Sequence, residues 1–155
     1  MIHYGYLKDH AEFIPQLAEI WYEVLGKIWL PNVKIEQVIK NFENHLNKDF
    51  LPLTIVAIQG TTPIGMCSLR NTDGIRPDLS PWLGSLIVHP QYQHQGIGKE
   101  LITRIQNIAK SMNFQQLYLF AFDPTIPEWY IKLNWSIFSM DKFKGHPVTV
   151  MSIYL

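Results

Sequence analysis

Leu83-Gly84-Ser85-Leu86-Ile87-Val88-His89-Pro90-Gln91-Tyr92-Gln93-His94-Gln95-Gly96-Ile97-Gly98-Lys99 is the stretch on which the reading of this chain turns. An apolar, strand-like run ends at Val88, and Pro90 stops it. A short polar loop then leads into two glycines, Gly96 and Gly98, which open a long amphipathic pattern. That pattern is helical: Ile97, Leu101, Ile105, Ile108 and Met112 form a stripe, with Ile102 and Ala109 beside it. Lys99, Glu100, Arg104 and Lys110 take the other face. The first turn of a helix leaves N–H groups without intrahelical partners, and the helix dipole adds partial positive charge there. Glycines remove the side chains that would hold an anion away from the backbone. Strand, glycine loop and helix together therefore predict a main-chain cradle for a phosphate or pyrophosphate.

Two common phosphate loops do not fit. A Walker A loop needs Lys followed by Ser or Thr, but Glu100 follows Gly98-Lys99, and Gln93 stands where its first glycine belongs. A dinucleotide fingerprint needs a third glycine where Leu101 stands.

Outward from this segment the chain reads as one domain over residues 1–155. Ile2, Tyr4 and Tyr6 alternate as a first strand. Phe13 to Leu25 carries a helical apolar pattern that Gly26 is placed to end, and Ile35 to Leu46 carries a second. Leu53–Ile58 and Ile64–Leu69 flank Gly60-Thr61-Thr62-Pro63 as a hairpin. Residues 71–81 are polar and broken by Gly and Pro, hence a loop. Strands are expected at Trp82–Val88, Leu117–Phe122, Trp135–Met140 and Val148–Tyr154, with helices at 96–112 and 127–133. The order predicts an α/β (α+β layered) domain: a mixed central sheet of about 6–7 strands flanked by about four helices.

Composition narrows the function. The chain is 47% hydrophobic and 17% charged, which excludes a disordered protein. Thirteen Lys and Arg balance thirteen Asp and Glu. The basic excess of a nucleic-acid binder is missing, so no nucleic-acid partner is expected. Cys67 is the single cysteine, which excludes an internal disulfide. The six histidines are scattered without ligand spacing, so no metal is expected. No signal-peptide pattern opens the chain and no apolar run is long enough to span a membrane, which points to a cytoplasmic protein without a membrane partner.

Gln93-His94-Gln95-Gly96-Ile97-Gly98, after a strand ending Val88-His89-Pro90, fits the pattern Gln/Arg-x-x-Gly-x-Gly/Ala. Here the sequence resembles the GNAT superfamily of acyl-CoA-dependent N-acyltransferases. A second segment, Asp123 to Trp135, resembles the family's Asn-x-x-Ala-x-x-aliphatic-Tyr-x-x-x-Gly-Phe/Trp run. Tyr130 matches its tyrosine, while Asp123, Ile126 and Asn134 replace its Asn, Ala and Gly. Asn134 tolerates a left-handed helix cap, so that departure is mild.

The resemblance implies an N-acetyltransferase with acetyl-CoA as co-substrate and an amine of a small molecule or peptide as acceptor. Main-chain groups of Leu86, Ile87 and Val88 would pair with the pantetheine arm in a gap between two splayed parallel strands. Amides of Gln93, His94, Gln95, Gly96, Ile97, Gly98 and Lys99 would hold the pyrophosphate. Tyr130 would give a proton to the departing thiolate. Some members carry a glutamate base where Trp82 stands. Asp78 is then a candidate base, directly or through a water, with Ser85, His89 and a water chain as alternatives. Trp29 and Trp82 are candidates to line the acceptor pocket, core packing being the alternative. Asp73 and Asp78 are the acids of the 71–81 loop, few for a polycationic acceptor. Cys67, in an apolar strand, reads as a core thiol. Members often dimerise, so a homodimer is a candidate state. A non-catalytic acyl-CoA sensor or interaction module is the alternative function, and an unrelated α/β binding domain a third.

Overall fold

The computed structural model describes residues 1–155. Its centre is a seven-stranded mixed sheet: β1 (Ile2–Tyr6), β2 (Leu53–Gln59), β3 (Thr62–Arg70), β4 (Trp82–Val88), β5 (Gln116–Ala121), β6 (Ser136–Phe143) and β7 (His146–Tyr154). The strands lie in the order β1-β2-β3-β4-β5-β7-β6. The pairings are antiparallel except β4 with β5, which is parallel. The apolar runs of β2 and β3 are buried along nearly their whole length, as strands covered on both faces must be. Lys144 and Gly145, both at positive φ (48° and 85°), turn β6 into β7, the handedness a two-residue hairpin turn requires.

Helices cover both faces. On one face, α4 (Ile97–Ser111) buries Ile97, Leu101, Ile102, Ile105 and Ala109 against Leu53, Ile55, Cys67, Leu69 and Leu83. Each large aliphatic side chain fully buried this way contributes about 1.5–3 kcal/mol. On the other face, α1 (Ile14–Trp21) and α3 (Ile35–Glu43) set Leu17, Trp21, Val38 and Phe42 against Val56, Ile58, Met66 and Ile87. Leu83 faces α4 and Ile87, four residues on, faces α1 and α3, because a register shift in β4 between them reverses the alternation that would otherwise keep both on one face. The short α5 (Ile126–Ile131) follows β5. No helix is long and apolar enough to cross a membrane.

The expected element order holds, and the differences are local. Gly26 does not end the first helix. The chain passes from α1 through a π-turn (Tyr22–Gly26) into α2 (Lys27–Trp29), so Trp29 sits on a helix end. A Cβ on Gly26 would fall 2.6 Å from Cζ3 of Trp21, so the glycine is there for the approach of that ring. Helix α3 stops at Glu43 instead of Leu46, its last turn tightened by Asn44 N–H to Asn41 O and His45 N–H to Phe42 O. Asn134 does adopt the left-handed conformation expected after α5, with φ 74°.

Gly26→Ala weighs two effects against each other. Helix propensity favours alanine by about 1 kcal/mol. Overpacking against Trp21 costs about 1–3 kcal/mol. Urea unfolding is expected to show a net loss of stability, with a shift in the tryptophan emission of the folded state.

Candidate functional site

Strands β4 and β5 share one register pair, Trp82 with Tyr118, supported by Tyr118 N–H to Pro81 O at 3.0 Å. Beyond it they part. The register between β3 and β4 also shifts, so that Met66 faces Ile87 while Ser68 faces Gly84. Ser85, inside this bulge, has φ 48°. The bulge bends β4 away from β5 and re-aims the main chain of Leu86, Ile87 and Val88. A cleft results, closed at Trp82 and open toward the ends of both strands. Leu86 and Val88 are half-buried there, while the Ile87 side chain belongs to the core.

The glycine loop lies at the open end. His89 caps the short 3-10 turn Pro90–Tyr92, its Nδ1 accepting the Gln91 N–H at 3.1 Å. Gln93 reaches back to the Val88 carbonyl at 3.2 Å. His94 and Gly96 take positive φ (64° and 81°). The main-chain N–H groups from Gln93 through Lys99 donate to nothing in the protein; the first satisfied amide is that of Glu100, bonded to Gly96 O at 3.1 Å. Gln93, His94, Gln95 and Gly96 are exposed, and so is the Lys99 side chain, whereas Ile97 anchors the helix in the core. An uninterrupted row of free donors beside a helix N-terminus fits a multiply charged anion.

Helix α5 stands next to this loop. A Cβ on Gly98 would meet Cη2 of Trp129 at 3.5 Å. Its neighbour Tyr130 is buried, with Trp135 at 5.8 Å between ring centroids. Burial, with Cys67 nearby, pushes the Tyr130 phenol well above its usual range, so it carries its proton at neutral pH. The Cys67 thiol is itself buried and pushed up, an inert core group. Asp123 turns the chain into α5 by accepting from Thr125 N–H at 2.8 Å and Thr125 Oγ1 at 2.7 Å.

Two expectations require correction. Trp82 lines no pocket: it is fully buried, packed on Tyr118 (5.9 Å) and Phe120 (6.2 Å), with Nε1–H bonded to Leu79 O at 2.8 Å. Its place at the one β4–β5 pair puts it in the core. Asp78 is poorly suited as a base. Both its oxygens accept from Arg76, Oδ1 from Nε at 2.9 Å and Oδ2 from Nη2 at 2.8 Å. Those bonds hold the carboxyl below the usual range. Trp29 is half-buried, stacked on Phe122 at 5.3 Å with His146 edge-on at 6.0 Å. Phe143 joins this group through Phe120 and Phe122.

The structure adds a polar cluster that sequence reading missed. Arg70, at the end of β3, donates to three groups: His45 Nε2 (2.9 Å), Asp73 Oδ1 (2.8 Å) and Ser85 Oγ (2.7 Å). His45 Nδ1–H donates to Asn41 O at 2.8 Å, leaving Nε2 as the acceptor. An arginine ending an apolar strand, with an acid three residues on, was the available signal. No three His, Cys, Asp or Glu side chains gather where they could hold a metal ion.

Residues 15–129 match the family model described as the acetyltransferase (GNAT) family. No curated protein is detectably similar in sequence. Among solved structures, an aminoglycoside 6'-N-acetyltransferase complexed with coenzyme A superposes with TM-score 0.75 at 15% identity, covering 99% of this chain and 96% of that one. The PaiA N-acetyltransferase of Thermoplasma acidophilum, in complex with coenzyme A, gives 0.73 at 20% identity, covering 100% and 99%. An IAA acetyltransferase of Bacillus cereus gives 0.71 at 20%, covering 100% of both.

Burial first, and the Arg70 charge second, lower the His45 pKa to about 4. A His depressed in the folded state stabilises it above its unfolded pKa of about 6.5, and that stability is lost as pH falls toward 4. Unfolding free energies should drop by up to about 3 kcal/mol across this window from this group. His45→Gln should remove that share of the slope, measured as the difference between the two proteins' pH profiles.

Proposed function

The chain belongs to the acetyltransferase (GNAT) family, and from that premise we propose that it moves the acetyl group of acetyl-CoA onto a primary amine of a small molecule or peptide. The observation that carries this reading is the unbroken row of unpartnered amides from Gln93 to Lys99 at the open end of the β4–β5 cleft.

Acetyl-CoA supplies an activated acyl group as a thioester. The amides of Gln93, His94, Gln95, Gly96, Ile97, Gly98 and Lys99 bind its pyrophosphate, which Gly96 and Gly98 leave uncovered. Leu86, Ile87 and Val88 offer strand-edge groups on the side that β5 has vacated, and these orient the pantetheine arm along β4. A main-chain N–H near Val88 stabilises the negative charge that develops on the carbonyl oxygen. Tyr130 keeps its proton at neutral pH and gives it to the departing sulfur. The acceptor enters from the α1 and α3 face. Trp29, carried there by the helix that runs through Gly26, forms an aromatic wall with Phe122 and His146 suited to an apolar body beside the amine.

Gly98→Glu introduces an acid into the amide cradle without a positive φ, and its Cβ meets Trp129 at ordinary contact distance. Calorimetry should show acetyl-CoA affinity reduced by about 10–100-fold, the equivalent of one or two charge-assisted hydrogen bonds, with the melting temperature kept. Tight binding by a folded Gly98→Glu protein would refute the cradle. Tyr130→Phe should lower kcat by about 100-fold or more while acetyl-CoA binding persists. An unchanged rate of thiol release would remove Tyr130 as the acid.

A further inference from the structure

We propose that Asp73 is the group that takes the proton from the acceptor ammonium, with Arg70 as its positioning residue. This rests on the amine-acetylation reading above. An alkyl amine is mostly protonated at neutral pH, since its pKa is about 10, and it must lose that proton before its lone pair can attack.

The two acids of the 71–81 loop are differently placed. Asp78 is exposed and both its oxygens are held by Arg76. The Asp73 side chain is only 15% exposed, and Arg70 engages one oxygen, Oδ1. Oδ2 makes no hydrogen bond and lies over the backbone of β4: a Cβ on Gly84 would come 3.1 Å from it and 2.5 Å from Arg70 Nη1. Gly84 is what lets this carboxylate rest on the strand.

Its position along β4 matters equally. Gly84 is two residues beyond Trp82, where β4 and β5 begin to part. A donor anchored by its phosphates at Gln93–Lys99, at the open end, runs toward this closed end with its acyl group leading. The carboxylate also lies on the acceptor face. Arg70 follows Leu69, which points to the α4 core, and it bonds His45 just beyond α3. The loop reaches the aromatic wall as well: a Cβ on Gly74 would fall 2.7 Å from Phe143, which packs on Phe122, itself stacked on Trp29. Carboxylate and wall are thus contiguous.

The guanidinium that holds Asp73 is itself anchored from two separate elements, His45 after α3 and Ser85 in the β4 bulge. Arg70 is the charged group that bears on Asp73. It lowers the proton affinity of the carboxyl, but burial outweighs it, and the net direction is upward, toward the working range of a base. His45, near 4, stays neutral over that range.

The step balances. One ammonium proton passes to Asp73 Oδ2. The freed lone pair forms the C–N bond as the C–S bond breaks, and the sulfur takes the Tyr130 proton. The second nitrogen proton, released as the amide forms, restores Tyr130 through solvent. Asp73 returns its own proton to solvent, so each turnover releases one.

The test uses acetyl-CoA with two probe acceptors, benzylamine, protonated at neutral pH, and aniline, neutral there, with thiol release as readout. Asp73→Asn should lower kcat/KM for benzylamine by about 100-fold or more. For aniline it should lower it by less than about tenfold, because no ammonium proton has to be removed. Acetyl-CoA affinity by calorimetry should stay within about twofold, since the variant leaves the amide cradle untouched. Equal losses for both amines, or an unchanged benzylamine rate, would overturn the assignment. Should Asp73→Asn not fold, the wild type decides: kcat/KM for aniline should be flat between about pH 5 and 8, and an acid limb shared by both amines would overturn the role. A wild type that binds acetyl-CoA yet acetylates neither amine overturns the amine reading itself, and this assignment with it.

Discussion

Two parallel strands that share a single register pair and then separate leave main-chain groups in the middle of a sheet without partners. In most sheets this would be a fault, since a buried amide or carbonyl without a hydrogen bond costs free energy comparable to the bond it lacks. Here the separation is built in. The β4 bulge at Ser85 bends the strand, Trp82 and Tyr118 hold the closed end, and helix α4 spans from one strand to the other. The cleft can stay open because its groups are complementary to a ligand that supplies the missing partners. The free amides of Gln93–Lys99 extend the same principle from the strand edge into the helix.

How much of this was legible in the sequence follows from the range of each interaction. The glycine loop, α4 and the β2–β3 hairpin rest on signals spanning a few residues: Pro90 after Val88, Gly60-Thr61-Thr62-Pro63 between two apolar runs, an apolar stripe at helical spacing. Such signals are present in the chain itself. Trp82 stayed between pocket and core because its exposure depends on Tyr118, Phe120 and Leu79, and no local pattern separates a tryptophan facing a cleft from one under a loop. Gly26 was misread for a related reason. Glycine after a helical run usually marks its end. This one makes room for the Trp21 ring, and the helix runs on through a π-turn.

The polar cluster shows the same limit on the functional side. Asp73 and Asp78 are equivalent acids in one loop when read along the chain. Their difference arises from Arg76, which chelates one, and from Arg70, which holds the other by a single oxygen against Gly84. The partner that orients Arg70 from the far side, His45, is 25 residues away in sequence. Nothing local announces that pairing. An arginine at the end of a strand otherwise buried along its length is nonetheless a costly place for a charge, and cost of that kind marks a position worth attention.

Burying an arginine and a carboxylate is a weak route to stability, because the desolvation penalty offsets much of the attraction between them. A core of hydrophobic residues would serve the fold as well. What hydrophobic residues cannot do is hold a carboxyl with one oxygen bound, one oxygen free and its proton affinity raised by burial. The Arg70 fork fixes direction, Gly84 allows close approach to the strand, and a neutral His45 accepts from the guanidinium without adding a second charge. The same burial depresses His45, so the arrangement carries a stability cost in acid. The fold therefore accepts a costly charge balance at the closed end of the cleft, which is where the proposed reaction places the acyl group and the acceptor nitrogen.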